Sequence, residues 1–279
     1  MNQQFLTELK AVTAENRIFT DEPMKKHTTF RVGGPADILV QPKGTELAAV
    51  IRLCRKYDVP YQVIGNGSNL LVGDRGIRGL VIEMLSKEDE ICVEDDCITV
   101  GAGMLLSKTA NRAAEHGLTG MEFAAGIPGR IGGAVVMNAG AYGGEMKDIL
   151  TAVTVLDQEG NEKILSAEEL ELGYRTSCIL KKGYIVTGAK IKLKHGEETA
   201  IRARMEELKK QRVEKQPLEY PSAGSTFKRP EGYFAGKLIM DAGLCGYQTG
   251  GAQVSEKHCG FVINKGNATA TDVCRLIKD

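Results

Sequence analysis

The chain has 279 residues, enough to bury a sizeable core and to divide into roughly two or three domains. Lys plus Arg is 36 and Asp plus Glu is 36, so no net charge draws it to nucleic acid or to an anionic membrane. No apolar run is long enough to span a bilayer, and Met1-Asn2-Gln3-Gln4-Phe5 lacks the basic and apolar regions of a signal peptide, so a cytosolic protein without membrane insertion is expected.

In chain order, Phe5 to Ile18 reads as a helix and Ala36–Val40 as a strand. Thr45 to Tyr57 is helical, with Leu47, Val50, Ile51 and Cys54 on one face. The strand Tyr61–Ile64 leads into Gly65-Asn66-Gly67-Ser68-Asn69, and Leu70-Leu71-Val72 reads as another strand before a turn. Gly79–Glu83 is a further strand. Ile91–Glu94 and Cys97–Val100 flank Asp95-Asp96, a hairpin signal that could set Cys92 opposite Cys97. Leu105 to His116 is a helix stopped by Gly117, and a second small-residue loop follows, Ala124 to Gly133. Thr151–Asp157 and Glu162–Leu165 form another hairpin. Ser166-Ala167-Glu168-Glu169 predicts a capping box on a short helix. Tyr184 to Leu193 alternates as a strand, and Glu198 to Gln216 is a charged helix with an apolar stripe at Ile201, Met205, Leu208 and Val213 and an ion pair from Glu206 to Lys210. A strand at Ala223–Phe227, a helix near Phe234–Asp241, a strand at Gly260–Asn264 and a helix from about Thr271 complete the reading. The seven cysteines include no C-x-x-C pair and read as buried free thiols. The four histidines are dispersed and no H-E-x-x-H occurs, so no metal site is expected.

Two glycine-rich loops in one chain point to bare backbone closing on an anionic ligand, since successive N–H groups in such turns form an anion-binding concavity. A pyrophosphate-bearing cofactor is the natural guess. The first loop reads G-x-G-x-x-L and is not followed by a helix, so it fails the dinucleotide fingerprint. No G-x-x-x-x-G-K-[ST] occurs, which counts against a P-loop ATPase. Taken alone, either loop could be a tight turn between strands.

An ordered set of motifs is more specific. Thr28–Asp37, Gly65–Leu71, Ala125–Gly129, Met137–Gly143, Gly173–Ser177, Tyr220–Lys228 and Ser255–Asn264 together resemble the UDP-N-acetylenolpyruvoylglucosamine reductase family, in its shorter form, over nearly the whole chain from about residue 20. The resemblance implies an α+β protein. An N-terminal helix and lead-in (1–29) would precede an FAD-binding domain of the vanillyl-alcohol-oxidase (PCMH) type (30–195, with subdomains of about 30–85 and 86–195). A C-terminal α+β substrate domain (196–279) would follow. It implies bound FAD, NADPH as co-substrate and a UDP-sugar enolpyruvyl ether as substrate, reduced to UDP-N-acetylmuramate for peptidoglycan.

The resemblance also implies roles. Gly65, Asn66, Gly67, Ser68 and Asn69 would hold the FAD pyrophosphate, with Ala125, Gly126, Gly129, Gly132 and Gly133 closing over the same cofactor. A side chain at Gly67 would then occupy the pyrophosphate's space. Arg175 would bind the enolpyruvyl carboxylate through its planar fork. Ser225 would donate a proton to the carbon next to the one that receives hydride from flavin N5. Serine is a poor acid in water, so cationic neighbours such as Lys228 would have to favour the alkoxide. Lys228, Arg229 and Tyr142 would hold substrate phosphate or sugar, with His258 as a further contact or a packed, hydrogen-bonded residue.

One departure stands out. The family ends on a strand carrying a glutamate that acts with the arginine and serine, whereas this sequence stops at Lys278-Asp279 inside an amphipathic helix. Roughly twenty family residues are expected beyond it, and Glu256 is a poor substitute. Two alternatives stay open at this point: another oxidoreductase of the same FAD fold, and an FAD- or UDP-sugar-binding protein without activity.

Overall fold

A computed structural model describes residues 3–85 and 91–279. The expected subdomain boundary at 85/86 falls at the edge of the segment 86–90, which lies outside the described residues.

The N-terminal helix, Gln3–Val12, is shorter than its apolar pattern implies. A 3-10 turn and the strand Ile18–Pro23 take up the rest, because the backbone here has a tertiary partner. Gln41 N donates to Arg17 O (3.0 Å), and the Arg17 guanidinium grips Gln41 O and the Glu46 carboxylate (2.7 and 2.9 Å). Ile18–Pro23 then joins a four-stranded sheet, in the order Ile18–Pro23, Pro35–Val40, Ile77–Glu83, Tyr61–Ile64. The predicted strand at Leu70–Val72 is absent. There the chain makes single contacts in place of a ladder: Gly34 N donates to Gly73 O (3.0 Å), and Val72 packs so closely on Gly33 that a Cβ on that glycine would lie 2.8 Å away.

The larger sheet has five antiparallel strands, Glu162–Ser166, Leu150–Leu156, Ile185–Lys192, Cys97–Gly101 and Ile91–Glu94 in that order. Its central strands bury Val153, Val155, Ala189, Ile191, Ile98 and Val100, while the edge strand Ile91–Glu94 alternates with exposed residues and the opposite edge exposes Glu162, Lys163 and Ile164. Helices Leu106–Glu115 and Ile131–Val136 cover this core through Leu106, Ala110, Ala113, Ile131, Ala134 and Val135. The second of them packs on Ile185–Lys192 and so fixes the loop that precedes it. Cys92 opposes Thr99 and Cys97 opposes Glu94, so the two cysteines do not face each other. Of the seven free cysteines only Cys54, Cys178 and Cys259 are buried; Cys92, Cys245 and Cys274 are exposed. Burial pushes the Cys54 thiol up to about 12.

The Ser166 capping box forms its reciprocal bonds, Ser166 N to Glu169 Oε2 (2.8 Å) and Glu169 N to Ser166 Oγ (3.4 Å), yet no helix follows. The backbone there is spoken for: Ala167 N donates to Thr151 O, and Leu170 O accepts from Cys178 N (2.7 Å). The charged helix runs Glu198–Lys215 and buries Ile201 and Leu208, but Val213 is exposed, and Glu206 pairs with Lys209 (3.3 Å), not Lys210. The third sheet is Ser222–Ser225, Phe261–Asn264, Ala252–Val254 and Gln248–Thr249. With Ala270–Lys278 it encloses a core of Ala252, Val254, Val262, Val273 and Leu276, to which Phe30 and Val32 also belong.

The chain divides into two compact units that ignore sequence order. The first holds the residues up to Ile18, Val40–Gly65 and Val81–Lys210; the second holds Phe19–Leu39, Asn66–Leu80 and Gln211–Asp279. Among the described residues, no helix is long and apolar enough to cross a membrane.

Candidate active site

In the first unit the opening residue of the first glycine-rich loop, Gly65, lies against the second loop. Gly65 ends the strand Tyr61–Ile64, and a Cβ built on it would lie 3.3 Å from the Arg130 Cβ at the end of the second loop. That second loop is wound tightly on itself. Ala125 N donates to Glu122 O (3.3 Å), and Gly129 N to Ile127 O (2.8 Å). Gly129 O accepts from Leu106 N (3.0 Å), which fastens the loop to a core helix; Gly126 is exposed at its tip. Gly132 N donates to Ala102 O, and a Cβ on Gly132 would press on the Ala102 Cβ at 3.1 Å. The next residue differs: a Cβ on Gly133 would meet nothing within 4 Å.

Arg130 stands beside this open backbone. One end of its guanidinium donates to Gly103 O (2.5 Å), but Nε is buried with no partner among the described residues. Burial pushes its pKa down, against a pull upward from Glu83. A buried donor left unsatisfied is rare and needs an explanation. An orphaned cationic donor beside exposed small-residue backbone fits an anionic group such as a dinucleotide pyrophosphate. The sequence offered no signal for it, because a lone arginine in a glycine run looks like any surface charge.

Asn66 to Asn69 belong to the second unit. Asn66 and Ser68 are half-buried, Asn69 is exposed and Gly67 is buried. Gly67 has φ +58°, and a Cβ there would collide with the His27 carbonyl oxygen and lie 2.8 Å from Thr28 Cα. The expectation for Gly67 therefore changes: a side chain would strike the chain's own backbone before any cofactor.

Arg175 has the most constrained surroundings of the residues singled out. It lies in the turn Gly173–Thr176, whose ends exchange backbone hydrogen bonds (3.1 and 3.3 Å), and has φ +55°. Its Nη1 donates to Asn138 O (3.2 Å) and its Nη2 to Gly140 O (2.9 Å). Asn138 is fully buried at φ +39°. Its Nδ2 donates to Glu145 Oε2 (2.8 Å) and Gly173 O (3.1 Å), and its Oδ1 accepts from Lys147 N (2.9 Å). Ser177 Oγ adds a bond to Val136 O (2.8 Å). Tyr142, at φ +53°, and Gly143, at φ +86°, form the turn of the hairpin Gly140–Ala141/Gly144–Glu145, where both central residues need positive φ. Arg175 and the Asn138 that holds its guanidinium are thus both non-glycine residues in left-handed backbone, and Tyr142, in the hairpin that starts at Gly140, is a third. Each costs on the order of 1–3 kcal/mol, which persists only where the surroundings over-determine it, and such strain concentrates at functional sites. Asn138 stood in the quoted Met137–Gly143 motif without a role; only its burial and bonding reveal one.

In the second unit, Ser225 is the exposed last residue of the strand Ser222–Ser225. A bulge separates the pairs Ser222↔Ile263 and Ser225↔Phe261, with Gly224 at φ +82° inside it. Bulges of this kind re-aim a side chain. Lys228 is exposed and makes no hydrogen bond or ion pair with the described residues. Arg229 donates from Nε to Tyr233 O (3.3 Å) and lies 4.0 Å over the Phe234 ring. His258 is packed: Nδ1 accepts from Gly260 N (3.1 Å), which leaves Nε2 to carry the proton of a neutral ring, and the ring meets Phe261 edge-on at 5.0 Å.

Residues 36–166 match the family described as FAD binding domain, and residues 216–279 match that described as UDP-N-acetylenolpyruvoylglucosamine reductase, C-terminal domain. The chain is 56% identical over 291 residues to the UDP-N-acetylenolpyruvoylglucosamine reductase of Agathobacter rectalis, across 100% of this chain and 93% of that one. The crystal structure of UDP-N-acetylenolpyruvylglucosamine reductase from Thermus caldophilus is similar with a TM-score of 0.81 at 42% identity, over 92% of this chain and 91% of that chain. An alkyldihydroxyacetonephosphate synthase shares the fold alone, with a TM-score of 0.52 and 16% identity over 70% of this chain and 41% of its own.

Proposed function

Because the chain belongs to the UDP-N-acetylenolpyruvoylglucosamine reductase family, we propose that it reduces UDP-N-acetyl-3-O-(1-carboxyvinyl)-glucosamine to UDP-N-acetylmuramate for peptidoglycan synthesis, with FAD bound and NADPH as co-substrate. Residues 30–195 serve the cofactor and 196–279 the UDP-sugar. FAD, once bound, would supply the hydride-transfer chemistry between NADPH and the vinyl carbon. The remaining tasks fall to this chain's own groups. Gly65 and the loop Ala125–Gly133 present backbone, and Arg130 a charge, to the pyrophosphate. Arg175 grips the substrate carboxylate and stabilises the charge that spreads onto it. Ser225 gives a proton to the adjacent carbon. Lys228, Arg229 and Tyr142 hold diphosphate or sugar, and His258 braces the turn before Phe261.

The observation that carries this reading is the fixing of Arg175. Two of its N–H groups are taken by the carbonyls of Asn138 and Gly140, so the fork is oriented before substrate arrives. A surface arginine serving only as an ion-pair partner needs no such strained cradle.

Rapid mixing without oxygen tests the proposal. NADPH should bleach the flavin, and the enolpyruvyl substrate should restore its colour. Arg175→Ala should spare the first step and slow the second by about a hundredfold or more. Flavin reoxidised only by oxygen would point to another oxidoreductase of this fold, and equal slowing of both steps would leave Arg175 a structural role.

A further inference from the structure

One residue in the second unit joins the first glycine loop, through its backbone, to the strand that ends in Ser225, through its side chain. Thr29 N donates to Gly67 O (3.3 Å), and Thr29 Oγ1 donates to Ser222 O (2.7 Å), across 193 residues of sequence. The segment around Thr29 has little freedom. Arg31 N closes a turn on Thr28 O (3.1 Å) with Arg31 at φ +54°, and Thr28 Oγ1 bonds Val32 O (3.1 Å). Phe30 and Val32 are buried in the core of the third sheet. Asn264 Nδ2 holds Phe30 O (3.2 Å), while Asn264 N donates to Pro221 O (2.8 Å). Thr29 thus sits on a rigid peg between the loop and the strand.

The bond to Ser222 falls at a sensitive place. Ser222 is the last residue in register before the bulge, and Ser225 is the first after it. The far end of the bulge is held by Thr226, whose N donates to Gly260 O (2.8 Å) and whose Oγ1 accepts from Val262 N (3.2 Å). The direction of the Ser225 side chain follows from where both ends are fastened, and Gly224 between them offers no resistance to a change. We propose that Thr29 is a positioning residue for proton delivery: its hydroxyl holds the near end of the bulge and so sets Ser225 at a fixed place relative to Gly67. This rests on the function proposed above. Thr29 touches no reacting atom and acts through Ser225.

The test compares Thr29→Val, which keeps the branched shape and removes the donor, with Thr29→Ser, which keeps the donor. Each protein is studied with its flavin bound. Thr29→Val should retain wild-type flavin content and wild-type reduction by NADPH. Its reoxidation by the enolpyruvyl substrate should slow by about tenfold to a hundredfold, since a misplacement of roughly 1 Å carries that penalty. The substrate concentration at half-saturation should not move, and the solvent deuterium isotope effect on reoxidation should rise. Thr29→Ser should restore the rate to within about twofold of wild type. Amide hydrogen exchange gives a readout that needs no turnover: residues 223–227 should exchange faster in Thr29→Val and normally in Thr29→Ser. Unchanged reoxidation or unchanged exchange in Thr29→Val overturns the proposal. So does failure of Thr29→Ser to rescue, or loss of flavin and of both half-reactions together. If the wild-type flavin is not reoxidised by the enolpyruvyl substrate, the functional reading fails, and proton delivery by Ser225 fails with it. The exchange result then reports only whether Thr29 holds the strand.

Discussion

Gly133→Ala separates a glycine needed by the fold from one kept for a ligand. Gly133 is exposed within the helix Ile131–Val136, and an added Cβ would find no atom within 4 Å. Alanine in a helix is favoured over glycine by about 0.5–1 kcal/mol, so the flavin-free protein should become more stable. For a chain of this size that corresponds to a rise in Tm of roughly 1–4 °C. If the cofactor approaches this backbone, the same methyl group crowds it. Overfilling a packed site costs about 1–3 kcal/mol. Converted at 1.4 kcal/mol per tenfold, the Kd for FAD should rise about fivefold to a hundredfold. Thermal unfolding of flavin-stripped protein and titration of FAD fluorescence read the two effects separately. The neighbouring Gly132→Ala is the control, because its Cβ would press on Ala102 at 3.1 Å and so should change stability by the same amount with or without flavin. A Gly133→Ala protein that is stabilised yet binds FAD as tightly as wild type would refute the idea that the open space belongs to the cofactor. One that is destabilised without flavin would refute the geometry.

Gly67→Val should unfold the second unit more readily, whatever its flavin content. Left-handed backbone and a collision with His27 O and Thr28 Cα together cost about 3 kcal/mol or more, and an undiminished Tm would contradict this. Asp74→Ala should loosen the start of the helix Ala270–Lys278, where the Asp74 carboxylate accepts from Ala270 N (2.7 Å), Thr271 N (2.9 Å) and Thr271 Oγ1 (2.6 Å). A lost cap costs about 1 kcal/mol, to be seen as faster amide exchange at residues 270–272; exchange as slow as wild type would show that the Thr269 capping box suffices alone. Asp157 governs part of the acid response. Bonds from Asn161 N and Glu159 N and the Lys163 ammonium (3.1 Å) hold its pKa at about 2, below the ordinary 3.8. A depressed carboxylate contributes stability above its unfolded pKa and loses it as pH falls through the folded value. Acid unfolding should therefore steepen between pH of about 4 and about 2, and Asp157→Asn should flatten that window; identical acid profiles for the two proteins would exclude the role.

Much of the secondary structure was legible because it is local. The strand Tyr61–Ile64 and the hairpin about Asp95-Asp96 follow from alternation and turn residues that act within a few positions. The failures share one cause. Ile18 left the N-terminal helix because Arg17 and Gln41 bond each other, and the Ser166 capping box made its bonds but no helix because Thr151 and Cys178 claimed the backbone around it. In each case a distant partner outbid a local preference, and local spacing does not record distant partners.

The candidate site divides along the same line. The sequence by itself determined which residues are present and in what order: two glycine runs, the Asn138–Gly143 segment, Arg175 in its turn and Ser225 beside a glycine. That order sufficed to mark the resemblance to the reductase family, because a motif is a statement about consecutive residues. Only the tertiary structure decided what each residue faces. It set Gly67 against the His27 carbonyl and Gly133 against open space, although both are glycines in loops of the same appearance. It gave Arg175 the carbonyls of Asn138 and Gly140, left Arg130 Nε buried without a partner among the described residues, and bridged Gly67 to Ser222 through Thr29. The physical reason is one of range: a residue's backbone preference is set by its neighbours in the chain, whereas hydrogen-bond partners and free volume are set by whichever segments folding brings opposite.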